Sequence, residues 1–85
     1  MRMSIYSIEL VSRATEMAIT TLDNNLKWTK DSVIGELSNM QDPAADKCLE
    51  QMESFSTKVR DAVEDLKHIQ QILAEHKRFY ELMNE

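Results

Sequence analysis

A shortage of turn-forming residues limits the folds open to this chain more than any other feature. Its 85 residues include one glycine, Gly35, and one proline, Pro43. Tight turns and hairpins between strands depend on glycine, proline and clusters of small polar residues, so this chain can change direction only rarely. The sequence therefore predicts an all-α protein with a single corner near Pro43.

The corner itself is encoded by Met40 and the residues that follow it. Asp42 is a favourable N-cap, because its carboxylate can accept a hydrogen bond from a free amide in the first turn of a helix. Pro43 suits the first helical position, where its missing N–H costs nothing, and Asp46 adds negative charge to the first turn. The predicted elements, all in one domain, are helix 1 at about residues 5–39, a turn at about 40–42 and helix 2 at about 43–83.

Apolar residues recur along both halves at alternating spacings of three and four, a period typical of helices packed lengthwise at a shallow angle. In helix 2 this predicted seam comprises Ala45, Cys48, Met52, Phe55, Val59, Ala62, Leu66, Ile69, Leu73, His76, Tyr80 and Met83. In helix 1 it comprises Ile8, Val11, Thr15, Ala18, Leu22, Leu26, Thr29, Val33, Leu37 and Met40. Ser4 or Ser7 is the candidate N-cap of helix 1. We therefore predict an antiparallel two-helix hairpin, with Gly35 weakening the last turns of helix 1.

Other apolar residues lie outside this seam and exceed what two helices can cover. The predicted partner interface is made of five of them, namely Leu10, Met17, Trp28, Ile72 and Phe79. A chain of this size is close to the limit at which a core of its own can offset the entropy of folding. Burial against a second hairpin, giving a four-helix bundle on dimerisation, is the favoured interpretation. The alternative is that these residues are the broad apolar face of a solvated hairpin.

Charge and composition exclude several classes of function. A formal charge of −5 and a pI near 5.0 argue against nucleic-acid binding, which requires clustered Lys and Arg. The sequence contains no run of about 18 apolar residues, so it does not predict a segment inserted into a membrane. The first residues contain no apolar stretch long enough to be the core of a signal peptide. We therefore expect that the protein, if exported, leaves the cytoplasm without cleavage of a signal peptide.

Few residues suggest catalysis or metal binding. Glu64 and Asp65 lie four and three residues before His68, which are spacings used by metal sites on helices, but further inward carboxylates are missing. His76, the one polar residue of the seam, is interpreted as setting the helix register, as a partner of a carboxylate or as a pH-sensitive group. Cys48 is interpreted as a small buried apolar residue. We expect no enzyme activity, no cofactor and no metal.

Residues 44–59, Ala-Ala-Asp-Lys-Cys-Leu-Glu-Gln-Met-Glu-Ser-Phe-Ser-Thr-Lys-Val, and the apolar pattern that follows them resemble the second half of WXG-type (ESAT-like) proteins of type VII secretion systems. The resemblance covers about half of the chain. It implies a helical hairpin that pairs as a homodimer or heterodimer and is secreted without a cleaved signal peptide. It also implies a C-terminal export signal, here Tyr80 and Asn84, recognised by a secretion ATPase.

The family's turn usually bears Trp-x-Gly, whereas Met40, Gln41 and Asp42 stand at the corresponding positions here. This difference favours the related helical proteins that lack the motif and bind the N-terminal region of type VII (LXG-type) toxins as targeting partners. Asn84 also replaces the acidic residue that usually ends the export signal. Tyr80 has the alternative interpretation of the last large core residue.

Two functions follow for a non-enzymatic protein of this kind. The first is a small type VII secretion protein that binds a secreted effector and targets it, or that is itself a dimeric secreted protein. The alternative is a structural subunit of a secretion apparatus, such as a type III needle protein, which is also a short hairpin with a proline in its turn. The polar C-terminus, Glu-Leu-Met-Asn-Glu, argues against polymerisation of that kind.

Overall fold

Two long helices make up the computed structural model, which describes residues 3–83. Helix α1 spans Ile5–Leu37 and helix α2 spans Pro43–Met83, and residues 3–83 contain no strand. The helices pack side by side in antiparallel directions, in a rod of 66 × 18 × 16 Å. At about 1.5 Å per residue, the 41 residues of α2 account for nearly the whole length of the rod. The predicted all-α hairpin is confirmed.

Both helices begin with a side-chain cap. The Ser7 backbone N–H donates to the Ser4 hydroxyl oxygen at 3.0 Å, which identifies Ser4 as the N-cap of α1. The Ala44 N–H donates to Asp42 Oδ1 at 2.7 Å, and α2 starts at Pro43 as the sequence predicts. Each start is therefore set by residues within one turn of it.

The corner is longer than the sequence predicts, because α1 ends at Leu37 instead of about residue 39. The Ser38 N–H still donates to the Ile34 carbonyl at 3.0 Å, and the Met40 N–H then closes a tighter turn on the Leu37 carbonyl at 3.1 Å. Gly35 lies inside the last helical turn and has no positive φ. The connection therefore occupies residues 38–42.

A narrow core runs between the two helices. Its most buried residues are Ile8, Thr15, Ile19 and Leu26 of α1 and Ala45, Met52, Ser56, Val59, Val63 and Leu73 of α2. Leu22, Val33 and Leu66 are partly buried and pack against its central cluster. This core also includes two polar residues, Thr15 and Ser56.

The predicted seam of α2 consists of two columns of residues, each repeating every seven residues, and the structure shifts one of these columns by one residue. Its first column, which includes Met52, Val59 and Leu73, does face α1. The second column lies four residues after each member of the first: the inward residues are Leu49, Ser56, Val63, Gln70 and Lys77. The predicted column of Cys48, Phe55, Ala62, Ile69, His76 and Met83 is exposed.

The observed second column can face inward although it contains polar residues, because the polar ends of its long side chains reach solvent. Lys77 and Gln70 place their alkyl stems between the helices while their charged or amide ends reach solvent and bind α1. Ser56 is fully buried, and its small side chain takes little space between the helices. Periodicity alone does not distinguish the two columns, since both repeat every seven residues.

The same shift occurs in the first half of α1. Val11 is exposed and Ala18 only half-buried, whereas Ile19, outside the predicted seam, is buried. From Leu22 to Leu37 the predicted seam residues are at least half-buried, in agreement with the sequence. Met40 lies beyond the end of α1 and is exposed, which also differs from its predicted place in the seam.

Candidate partner-binding surface

The two long sides of the hairpin have different chemistry. On one side, Lys77 Nζ of α2 lies 3.3 Å from Glu9 Oε1 of α1. Towards the corner on that same side, Lys30 Nζ lies 3.3 Å from Glu53 Oε1. These ion pairs define what we call the charged side.

Charged residues continue along the whole of this side. In helical register with the ion pairs lie Glu9, Arg13, Glu16, Asp23, Lys27 and Lys30 of α1 and Asp46, Glu50, Glu53, Arg60, Glu64, Lys67, Arg78 and Glu81 of α2. A further cross-helix contact is the hydrogen bond from Gln70 Nε2 to Glu16 Oε2 at 2.7 Å. Exposed ion pairs contribute only about 0–1 kcal/mol each, so this side chiefly keeps the hairpin in water and in register.

The opposite side, which we call the apolar side, is formed by the columns that flank the core in the other direction. Its residues are Ser7, Val11, Ala14, Ala18, Thr21, Asn25 and Ser32 of α1 and Ala44, Cys48, Gln51, Phe55, Lys58, Ala62, Asp65, Ile69, Ile72, His76, Phe79 and Met83 of α2. Asn25 and Phe55 line one small cavity together, which shows that these columns share a side. The α1 stripe has no charged residue at all.

Large apolar side chains on this side are strongly exposed. The exposed fraction is 48% for Phe55, 42% for Ile69, 55% for Ile72 and 58% for Phe79. Together they leave several hundred Å² of apolar surface in water, the order of the roughly 800 Å² that one partner contributes to a standard interface. Apolar patches of a few hundred Å² are about the largest that a typical monomer exposes, and they are often functional.

A groove opens on the apolar side next to the corner. Its volume is about 430 Å³, and it is lined by Val33, Leu37, Cys48, Gln51, Met52 and Phe55. Phe55 also borders a cavity of about 70 Å³ further along the hairpin. The lining is apolar except for Gln51, so the groove suits a large apolar side chain of a partner.

The five predicted interface residues are all exposed, but they do not lie together. Ile72 and Phe79 are part of the apolar side. Leu10, Met17 and Trp28 each lie two residues, or about 200°, from inward-facing residues on either side of them, so they project from the back of α1. One flat partner cannot cover both groups at once.

Three residues of the apolar side were missed because the sequence places them in the seam. Val11, Phe55 and Ile69 are between 42% and 48% exposed. The absence of charged residues from the Val11 column is a signal that was visible in the sequence. Depletion of charged residues is typical of the central part of a protein–protein interface.

The predicted export signal is described only in part. Tyr80 is half-buried and meets the His76 ring edge-on, with ring centroids 6.2 Å apart, and the Phe79 ring at 6.0 Å. Asn84 lies outside the described residues. The aromatic contacts are compatible both with a recognition element and with a last core residue.

The remaining candidates are ordinary surface positions. Met40, Asp42 and Pro43 of the turn are exposed. Cys48 is an exposed free thiol at the edge of the groove, which corrects its predicted burial, and His68 is also exposed. Across residues 3–83, His, Cys, Asp and Glu side chains form no group of three or more suited to hold a metal ion.

Neither α1 nor α2, as described, has the length and apolar character needed to cross a membrane. Comparison of the chain with family models, with curated proteins and with solved structures finds no match.

Proposed function

We propose that this protein is a non-enzymatic binding module of a type VII secretion system, and that helices of a partner cover its apolar side to complete a four-helix bundle. The partner is the long helical N-terminal region of a secreted toxin or a homologous hairpin. The module targets this partner for export, and the C-terminal segment with Tyr80 and Asn84 is recognised by the secretion ATPase.

The observation that carries the proposal is the contrast between the two sides. A hairpin that worked alone would gain nothing from holding Phe55 and Ile69 in water while placing a serine and a lysine stem between its helices. A bundle with two more helices would bury these apolar side chains and leave the charged side exposed. The secretion part of the proposal is supported by the sequence resemblance of residues 44–59.

A single added charge tests the binding role. Ile69→Glu puts a carboxylate at the centre of the apolar side, where a partner would have to bury it without a counter-charge at a cost of several kcal/mol. Because Ile69 is 42% exposed, the hairpin itself remains folded. Gln71→Glu is the matched control, since it adds the same group two residues away at an exposed position beside the charged side.

The measurement is binding to the helical N-terminal region of a toxin encoded beside this protein, together with secretion of both proteins from the host against a lysis control. We expect Ile69→Glu to weaken binding at least tenfold and to reduce secretion, and Gln71→Glu to change neither. Equal binding by the two variants, with unchanged circular dichroism, would contradict a partner site on the apolar side.

A further inference from the structure

The last described turn of α2, residues 80–83, has few local interactions that stabilise it. It contains no basic residue, and Glu81 adds negative charge to the helix end at which the helix dipole is also negative. Leu82 and Met83 are 64% and 56% exposed, so they pack little against α1. Only Tyr80 in this turn is half-buried. A turn of this composition frays unless a contact from elsewhere in the fold holds it.

Lys77 supplies such a contact from the preceding turn. Its Nζ lies 3.3 Å from Glu9 Oε1 on α1 and 3.9 Å from Glu81 Oε1 in the last turn. Within residues 3–83 it makes the polar contact between the helices that is nearest to the end of α2. A lysine placed four residues before a glutamate is the weaker order for an ion pair within a helix, so Glu9 is the more important of its two partners.

We infer that Lys77, through Glu9, is a positioning residue for the proposed export segment, residues 80–85. The contact keeps the turn that begins at Tyr80 helical and attached to α1, so that Tyr80 is presented from a fixed place on the rod. The inference rests on the proposed function, in which a secretion ATPase recognises this segment. A conformation that is only partly populated binds with an affinity reduced by its population, so fraying of this turn weakens recognition.

Removing either charge of the contact tests the inference. Lys77→Gln keeps most of the stem, and Glu9→Gln changes only a residue of α1 that is far from Tyr80 along the chain. An exposed ion pair changes an equilibrium by at most about fivefold, so the backbone amides of residues 80–83 should exchange about two to five times faster in both variants. Secretion, measured against a lysis control, should fall about two- to fivefold for the same reason. Lys77→Arg keeps the charge and should behave as the unchanged protein does.

Lys30→Gln is the matched control. It removes another cross-helix ion pair, in which Lys30 Nζ lies 3.3 Å from Glu53 Oε1, but near the corner. An effect of general stability would reduce secretion in both lysine variants, whereas we expect Lys30→Gln to change neither secretion nor the exchange of residues 80–83. The double variant Glu9→Gln/Lys77→Gln should be no worse than either single variant, because both side chains act through one contact.

Deletion of residues 80–85 separates this inference from the proposed function. If the deletion abolishes secretion while Lys77→Gln and Glu9→Gln are secreted as well as the Lys30→Gln control, the positioning role is wrong and the proposed function stands. A defect in Lys77→Gln without one in Glu9→Gln also overturns the inference, because the lysine itself would then be recognised. If the deletion variant is secreted normally, the export role of the segment and the inference both fall.

Discussion

Replacing Ser56 with alanine is expected to stabilise the hairpin, although Ser56 is the most deeply buried residue of α2. Its relative exposure is 0%, and its hydroxyl oxygen has no hydrogen-bond partner within residues 3–83. A buried hydroxyl without a partner costs about 1–3 kcal/mol of desolvation. Ser56→Ala removes that cost and leaves only a small void.

The expected gain in the free energy of unfolding is compared with that of Ser54→Ala, which makes the same chemical change at an exposed position of the same helix. Alanine exceeds serine in helix propensity by about 0.5 kcal/mol, and this gain is common to both variants. We therefore expect the free energy of unfolding to rise by about 0.5 kcal/mol for Ser54→Ala and by about 1.5 kcal/mol for Ser56→Ala.

Urea denaturation followed by circular dichroism measures the difference, at one protein concentration for all variants. A difference of about 1 kcal/mol shifts the melting temperature of a chain this size by roughly 4–8 °C. Equal gains from the two variants, or a loss from Ser56→Ala at an unchanged m-value, would refute the reasoning, because they would show that the Ser56 hydroxyl donates to a carbonyl of the preceding turn.

Further expectations concern the ends of the helices. Gly35→Ala should raise the free energy of unfolding by about 1 kcal/mol, since Gly35 is helical and an added Cβ would meet no atom within 4 Å. An unchanged melting temperature in a thermal melt would mean that this last turn is not helical in solution. Asp42→Ala should lower the free energy of unfolding by about 1 kcal/mol through loss of the cap on Ala44, whereas Pro43→Ala should lower it little. If Asp42→Ala had no effect in chemical denaturation, α2 would start at another residue. Deletion of residues 80–85 should abolish secretion and leave a folded hairpin that still binds its partner, with loss of folding pointing instead to Tyr80 as a core residue. Tyr80→Phe keeps the packing and removes the hydroxyl, so a secretion defect in this variant would identify a recognition contact.

The elements of the fold are local properties and could be predicted from the sequence. Asp42 and Pro43 determine the start of α2 through groups that lie within one turn, and the scarcity of glycine and proline elsewhere leaves no other corner. The antiparallel pairing then follows, because a short connection between two amphipathic helices brings them together in opposite directions. The end of α1 at Leu37 was missed by about two residues, since the bonds that close the turn depend on how the chain enters α2.

The site is less predictable, because the sequence contains two adjacent stripes that fit the same period. Phe55 and Ile69 are larger and more apolar than Ser56 and Gln70, so hydrophobicity alone assigns the former to the core. In the folded hairpin the choice depends on both helices at once. Ser56 is small enough to be fully buried between the helices, and Gln70 and Lys77 are half-buried with their polar ends bound to glutamates of α1.

The sequence by itself therefore determines two helices, one corner and a seven-residue repeat, all of which depend on interactions within a few residues along the chain. Only the tertiary structure decides which stripe closes the hairpin and which remains exposed. That decision is a property of contacts between residues far apart in the chain: Ile19 and Leu26 of α1 pack with Met52, Val59 and Val63 of α2 in one buried cluster. Phe55 and Ile69 lie outside this cluster and stay exposed.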